Sequence, residues 1–191
     1  MRIVSGSLKG KKIDFLKSNT TRPLRDFVKE SVFNVVEHSN LISVLLKDAN
    51  VLDLYSGVGS FGVECVSRGA KKSTFVENDN KALEILKINI KQLQIEKRCE
   101  VFQTKTTSFI NQLKKHNEYD IIFLDPPFSE NFFIEELKMI KKSNLYKKNH
   151  IIIIHRENKS KDEISNLINV LTTKKYGRSK IIFGNFNLNI A

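Results

Sequence analysis

The sequence predicts an α/β fold, a mainly parallel sheet doubly wound by helices. Three observations carry this. Short apolar runs recur along the chain from residue 51 onward. Stretches with helical spacing lie between them. The first run, "VLDLY", ends in Gly57-x-Gly59-x-x-Gly62, the turn of a strand that feeds directly into a helix.

Each element has its own justification. "VLDLY" (51–55) reads as a strand, and Phe61, Cys65 and Val66 mark a helix over 60–68. "STFVE" (73–77) is a second strand. Leu83, Leu86, Ile90 and Leu93 are spaced for one face of a helix over 80–93. "CEVFQT" gives a third strand, with a helix near 106–115. "YDIIFLDPP" is too apolar for an edge strand and is stopped by Pro126 and Pro127. A helix over 131–142, the strand "HIIIIHR", a last helix over 161–171 and a hairpin in "KKYGRSKIIFGNFNL" complete the series. Before residue 51 the pattern changes. "RIVSGSLKGKKI" alternates around Gly6 and Gly10 as a small hairpin, and Val28, Val32, Val35 and Val36 share a face of a helix over 25–37. Residues 1–45 therefore form a basic extension, and residues 46–191 the α/β core.

Bulk properties narrow the class. The composition, 40% hydrophobic and 28% charged, is that of a soluble globular chain, and the longest apolar run, Ile151–Ile154, is far short of a membrane span. The N-terminus lacks the apolar stretch of a secretory signal. Cys65 and Cys99 are far apart in sequence, which suits a reduced, cytoplasmic protein with buried thiols. His38, His116 and His150 have no metal-ligand spacing, so no metal is expected. The net charge is +11. Arg2, Lys9, Lys11, Lys12, Lys17, Arg22, Arg25 and Lys29 face only Asp14, Asp26 and Glu30 in the first thirty residues. Clustered cations gain from displacing the counterions of a nucleic acid. A general enrichment in Lys and Asn would produce the same charge without a partner.

Gly57 and Gly59 let backbone approach a ligand, and Glu77 stands at the end of the second strand, where an acid binds ribose hydroxyls. The glycine spacing alone does not distinguish cofactors. Asp53, four residues before Gly57, favours one without settling the choice: a carboxylate there repels a pyrophosphate and suits a ligand with an ammonium and a sulfonium, S-adenosylmethionine. The other reading of Asp53 is a carboxylate that caps local backbone amides.

Asp125-Pro126-Pro127-Phe128 ends the fourth strand. The amino group of a nucleobase is a poor nucleophile because its lone pair is delocalised into the ring. The Asp125 carboxylate and Pro126 carbonyl can accept its two N–H bonds and turn the lone pair outward. The prolines stiffen that carbonyl, and Phe128 can stack on the base. Positioning and electrostatics then supply most of the rate.

With these residues in view, the chain resembles the bacterial family that methylates N2 of the guanine conventionally numbered 966 in 16S rRNA. The likeness runs through "RIVSGSLKGKKI", "TRPLRDFVKESVFNVV", "LDLYSGVGSFGVECVSRGA", "FVENDNKAL", "YDIIFLDPPF" and "YGRSKIIF". It implies a Rossmann-like class I S-adenosylmethionine-dependent methyltransferase, with a mainly parallel seven-stranded sheet and an antiparallel last strand. It further implies that Asp53, Tyr55, Gly57 and Gly59 lie at the methionine portion of the cofactor, with Glu77 on the ribose and Asn78 at the adenine. Asp125, Pro126, Pro127 and Phe128 would hold the guanine. Arg2, Lys9, Lys11, Lys12, Arg22 and Arg25 would contact the RNA. The substrate would be 16S rRNA or the small-subunit particle, and the protein a cytoplasmic monomer.

Three positions depart from the family pattern. Leu24-Arg25 follows Arg22-Pro23 where Thr is usual, and Phe27 stands where Arg is frequent. Lys105 occupies the adenine-binding position usually held by Asp or Asn, where an ammonium cannot accept the adenine N–H; Thr104, Thr106 or a backbone carbonyl can. Two other functions remain compatible with the residues, an N6-adenine methyltransferase and a non-catalytic RNA-binding assembly factor. His155-Arg156 is expected at an exposed strand end, with RNA contact as the other reading.

Overall fold

The computed structural model describes residues 1–16, 26–113, 118–128 and 131–186. Among them the elements follow in the order α1 (Asp26–His38), β1 (Asn50–Leu54), α2 (Ser60–Ser67), β2 (Lys72–Glu77), α3 (Asn80–Gln92), β3 (Cys99–Gln103), α4 (Thr106–Gln112), β4 (Tyr119–Leu124), α5 (Phe133–Ser143), β5 (Tyr146–Glu157), β6 (Asn169–Tyr176) and β7 (Ser179–Asn185). Seven strands form one sheet in the order β3-β2-β1-β4-β5-β7-β6. Strands β1 to β5 run parallel, and β7 is antiparallel to both β5 and β6.

The central strands are mostly apolar because both faces are covered. Val51, Ile121, Phe123, Ile151 and Ile153 point to the side of α1 and α2, where Val32, Phe33 and Phe61 meet them. Their alternates Leu52, Leu54, Ile122, Leu124, Ile152 and Ile154 meet Phe133, Leu137 and Ile140 of α5. The chain leaves β1 toward β2 and β3, then crosses back to β4 on the other side of β1. That reversal opens a crevice at the carboxyl ends of β1 and β4, the usual ligand position in such sheets. Register keeps the ends level, since Leu54 pairs with both Val76 and Leu124.

The N-terminal hairpin forms, with Arg2 bridged to Lys12 and the Ile3 N–H donating to the Lys11 carbonyl at 2.9 Å. Ile3 and Ile13 are buried against Val63, Phe75, Leu83 and Leu86, so extension and core share an apolar cluster. Each such side chain contributes roughly 1.5–3 kcal/mol. The Asn89 amide adds a polar fastening. Its Oδ1 accepts from Asp14 N at 2.8 Å, and its Nδ2 donates to the carbonyls of Asp14 and Val58, both at 3.1 Å. Helix α1 buries Lys29 and Phe33 as well as Val28, Val32 and Val36, while Val35 is only half-buried. Lys29 pairs with the equally buried Glu64 at 3.4 Å and donates to the Arg2 carbonyl at 2.8 Å. One of the eight N-terminal cations is therefore structural and adds nothing to the basic surface. Lys17, Arg22, Leu24 and Arg25 lie outside the described residues.

The last helix expected over 161–171 is not there. Residues 161–168 run as loop and turns, and β6 begins at Asn169. Ile164, Leu167 and Ile168 imitate helical spacing because a single turn brings Ile168 N–H to the Ile164 carbonyl at 3.0 Å. Beyond it, Val170 to Tyr176 pair along β7 with a register shift between Val170 and Thr172, and pairing with that strand prevails. The expected tail hairpin is this β6–β7 pair, turning at Gly177-Arg178.

Candidate active site

The glycine loop is built by two different constraints. Gly57, at φ +54°, has open space where a Cβ would stand, as a surface meant for a ligand requires. Gly59, at φ +86°, caps α2, and a Cβ there would lie 2.3 Å from Leu86 Cδ1. Its glycine is explained by packing. The Gly57 N–H donates to Glu77 Oε2 at 2.7 Å, while Glu77 Oε1 accepts from the Asn78 and Asp79 amides at 2.8 and 2.7 Å. Glu77 thus ties the loop to the end of β2 and keeps acceptor capacity on Oε2 for a hydroxyl.

Asp53 satisfies both sequence readings at once. Its Oδ2 accepts from the Gly62 N–H at 2.9 Å, which caps the start of α2. Its Oδ1 is the one buried side-chain polar atom without a hydrogen-bond partner among the described residues. Burial pushes this carboxyl up to about 8; the Gly62 amide works against that, and the charges of Asp125 and Glu77 add to it. Three acids therefore surround one crevice in a protein of net charge +11. Such a crevice accepts a cation and rejects a pyrophosphate. The orphaned Oδ1, the open Gly57 and the ribose-competent Glu77 fit S-adenosylmethionine.

Other cofactor-side residues are placed as follows. Tyr55 sits at φ +60° and donates its hydroxyl to the buried Glu136 Oε2 at 2.6 Å, so its ring packs toward α5 and its backbone borders the loop. Asn78 is exposed beside Glu77. Lys105 is exposed at the start of α4, one residue beyond Thr104, whose N–H donates to the Glu77 carbonyl at 3.2 Å.

Asp125 follows β4, and its N–H donates to the Leu54 carbonyl at 3.3 Å, which brings it beside the glycine loop. Its carboxylate is 27% exposed, and Oδ1 lies 2.8 Å from His155 Nδ1. The opposite ring nitrogen, His155 Nε2, lies 2.9 Å from Ser179 Oγ. Phe128 meets the imidazole edge-on at 5.2 Å and leaves 37% of its surface exposed, room for a stacked base. Arg156 donates to the carbonyls of Pro127 and Phe128 at 3.1 and 3.4 Å and to Asn131 Oδ1 at 3.1 Å. Among the described residues no hydrogen bond reaches the Pro126 carbonyl, the one assigned to the target amine.

His155 and Arg156 are therefore not at an exposed strand end. Both are buried, Arg156 to 1% exposure. The guanidinium is held by Asp162 at 3.2 Å and lies over the Phe133 ring at 4.5 Å. Asp162 also binds Lys180 at 3.1 Å and accepts from Ser160 Oγ at 2.5 Å. Burial acts to raise its carboxyl, but Ser160, Lys180 and Arg156 together hold it below the ordinary value. The available signal was that both follow four consecutive isoleucines in a strand covered on both faces. Ser179 and Asp162 carried none.

On the hairpin, Arg2, Lys9, Lys11 and Lys12 are exposed. Arg2 is shared with Asp26 at 3.4 Å. No group of acids, histidines and cysteines able to hold a metal is present among the described residues, and none of their helices is long and apolar enough to cross a membrane.

An antiparallel β7 between β5 and β6 separates this sheet from the all-parallel dinucleotide-binding arrangement. It places the chain in the Rossmann-like class I S-adenosylmethionine-dependent methyltransferase fold. Residues 1–185 match the model of the family described as Conserved hypothetical protein 95, and the chain belongs to that family. It is 34% identical over 157 residues to Ribosomal RNA small subunit methyltransferase D of Buchnera aphidicola subsp. Acyrthosiphon pisum, covering 82% of this chain and 78% of that one. The protein of the same name from Haemophilus influenzae is 33% identical over 158 residues, covering 82% and 79%. A solved chain from Escherichia coli superposes with TM-score 0.80 over 97% of both chains at 24% identity, a likeness of fold.

Proposed function

We propose that this protein methylates small-subunit rRNA with S-adenosylmethionine, and that its target is the exocyclic N2 of guanine 966 in 16S rRNA, reached by a cytoplasmic monomer. The observation that carries the reading is the crevice where an orphaned Asp53 oxygen and Asp125-Pro126-Pro127-Phe128 meet. Relatives named as small-subunit rRNA methyltransferases support the substrate class.

When bound, S-adenosylmethionine supplies an electrophilic methyl group on a sulfonium sulfur. Asp53 Oδ1 balances the cationic methionine portion, Glu77 takes the ribose hydroxyls, and Asn78 borders the adenine. Lys105 can contribute its backbone to the adenine edge, with the flanking threonines as acceptors. The guanine leaves its stack and enters over Phe128. Asp125 and the Pro126 carbonyl hold the two amino hydrogens, so the nitrogen lone pair faces the methyl. With the methyl passed from the sulfonium to the nitrogen and a neutral thioether left behind, the nitrogen would be strongly acidic, and Asp125 would take the proton it loses. Arg2, Lys9, Lys11 and Lys12, with Arg22 and Arg25, neutralise phosphates around the target.

The test is an rRNA methylation map of a strain lacking the gene, with mass spectrometry of the nucleosides. The expected result is loss of N2-methylguanine at position 966. Loss of N6-methyladenine with that guanine still methylated would transfer the chain to the adenine class. An unchanged map would leave the assembly-factor reading.

A further inference from the structure

We infer that His155 is a positioning residue for the methyl transfer, locking the Asp125 carboxylate so that Oδ2 alone is presented to the target amine. The inference rests on the function proposed above and deepens it.

The proposed role sets the proton positions. An ionised Asp125 can only accept, so His155 Nδ1 carries the proton and donates to Oδ1 at 2.8 Å. The neutral ring then presents a lone pair at Nε2, which receives the Ser179 hydroxyl at 2.9 Å. Every polar atom of the imidazole is thereby used, and the ring is held from both sides. β7 supplies Ser179, β5 supplies His155, and the loop after β4 supplies Asp125. The three strand ends are adjacent in the sheet, so the relay is as rigid as the sheet itself. The Phe128 ring leans edge-on against the imidazole, so the same residue also fixes the surface over which the base slides in.

Without this donor, Asp125 could rotate and offer either oxygen, or turn toward solvent. With it, one oxygen is committed and only the other is left for the amine. Charged and titratable groups among the described residues also border the pair. Asp53 lies within electrostatic reach of Asp125 across the crevice. Glu157, two residues along β5, is paired with Arg178 at 3.6 Å. Tyr176 pairs with Ser179 across β6 and β7, and Arg156, on the opposite face of β5, is committed to Asp162.

The experiment compares wild type, His155→Asn and His155→Phe in tritium transfer to small-subunit particles. A calorimetric titration with the cofactor accompanies each protein. His155→Phe should lower kcat by about ten- to a hundredfold, the loss of one charge-assisted hydrogen bond, with cofactor affinity unchanged. His155→Asn keeps an N–H donor, so it should restore kcat to within about threefold of wild type. Full kcat in His155→Phe, or a His155→Asn as slow as His155→Phe, overturns the inference. Nitrogen-15 NMR of the wild-type imidazole provides a reading that needs neither variant nor turnover. A proton on Nδ1 is expected; a proton on Nε2 alone overturns the inference. Wild-type protein that transfers no methyl at all would sink the proposed function, and the NMR result would still decide whether His155 donates to Asp125.

Discussion

Replacing Asp53 by Asn should stabilise the protein and weaken cofactor binding, and the two effects should follow pH in a linked way. Asp53 has its carboxyl raised from 3.8 to about 8 in the fold, chiefly by burial, with Oδ1 unpartnered. The unfolded chain releases this proton near pH 4 and the folded chain only near pH 8, so between those values the folded state binds more protons. Stability is then fully present below about pH 4 and declines as pH rises, by about 1.4 kcal/mol per unit, until the folded carboxyl ionises. Across pH 5 to 8 the loss is about 4 kcal/mol, large against a whole-domain stability of roughly 5–15 kcal/mol. Asn cannot ionise, so Asp53→Asn should escape the decline. Urea unfolding of both proteins at several pH values gives the difference directly. It should widen steadily from pH 5 to 8 and level off above. Cofactor affinity should move the other way. A cation beside Oδ1 favours the ionised form, so wild-type affinity rises with pH toward 8, and calorimetry at pH 7 in buffers of different ionisation enthalpy should find close to one proton released per ligand. Parallel stability curves for the two proteins, or binding without proton release, would refute the reasoning.

Asp125→Ala should bind S-adenosylmethionine within about threefold of wild type and lose at least about a hundredfold in transfer rate, because it removes an acceptor that the reacting amine needs and the cofactor does not; unchanged turnover measured by tritium transfer contradicts that role. Arg156→Met should cost about 3–5 kcal/mol in urea unfolding, since it leaves the buried Asp162 without its guanidinium partner and releases the Pro127 and Phe128 carbonyls. A cost under 1 kcal/mol would mean that Lys180 and Ser160 alone satisfy Asp162. Replacing Lys9, Lys11 and Lys12 by Ala should reduce the slope of log affinity for rRNA against log salt by about two, at roughly 0.7 per phosphate contact on single strands. A slope that does not move places the RNA elsewhere.

The fold was legible wherever local pattern and tertiary environment agree. Strands buried on both faces read as unbroken apolar runs, and Leu83, Leu86 and Ile90 of α3 declare their face at helical spacing. It failed at 161–171, where Ile164 and Ile168 are buried by the sheet at a spacing that one turn reproduces without a helix. The same error hid part of the site. Asp53, Glu77 and Asp125 could be read because each lies in or beside a motif whose local geometry specifies it. Arg156 could not, because what makes a buried guanidinium tolerable is Asp162, inside the segment misread as helix. His155 likewise depends on Ser179, a serine with no local distinction. Buried Lys29 is the same case at the N-terminus, since its partner Glu64 lies thirty-five residues away.

Asn89 carries a consequence for the descent and engineering of such chains. One amide group fastens Asp14 of the hairpin and Val58 of the glycine loop, and Ile3 and Ile13 roof the helices beneath. A hairpin so attached cannot be exchanged for another binding module as a cassette. Removing it would uncover Val63, Val66, Leu83 and Leu86 and leave Asn89 Oδ1 and one of its N–H groups without their Asp14 partners, with only the bond to Val58 remaining. The outward lysines carry no such constraint, while the inward isoleucines are bound to one cluster with the α/β core and can change only with it.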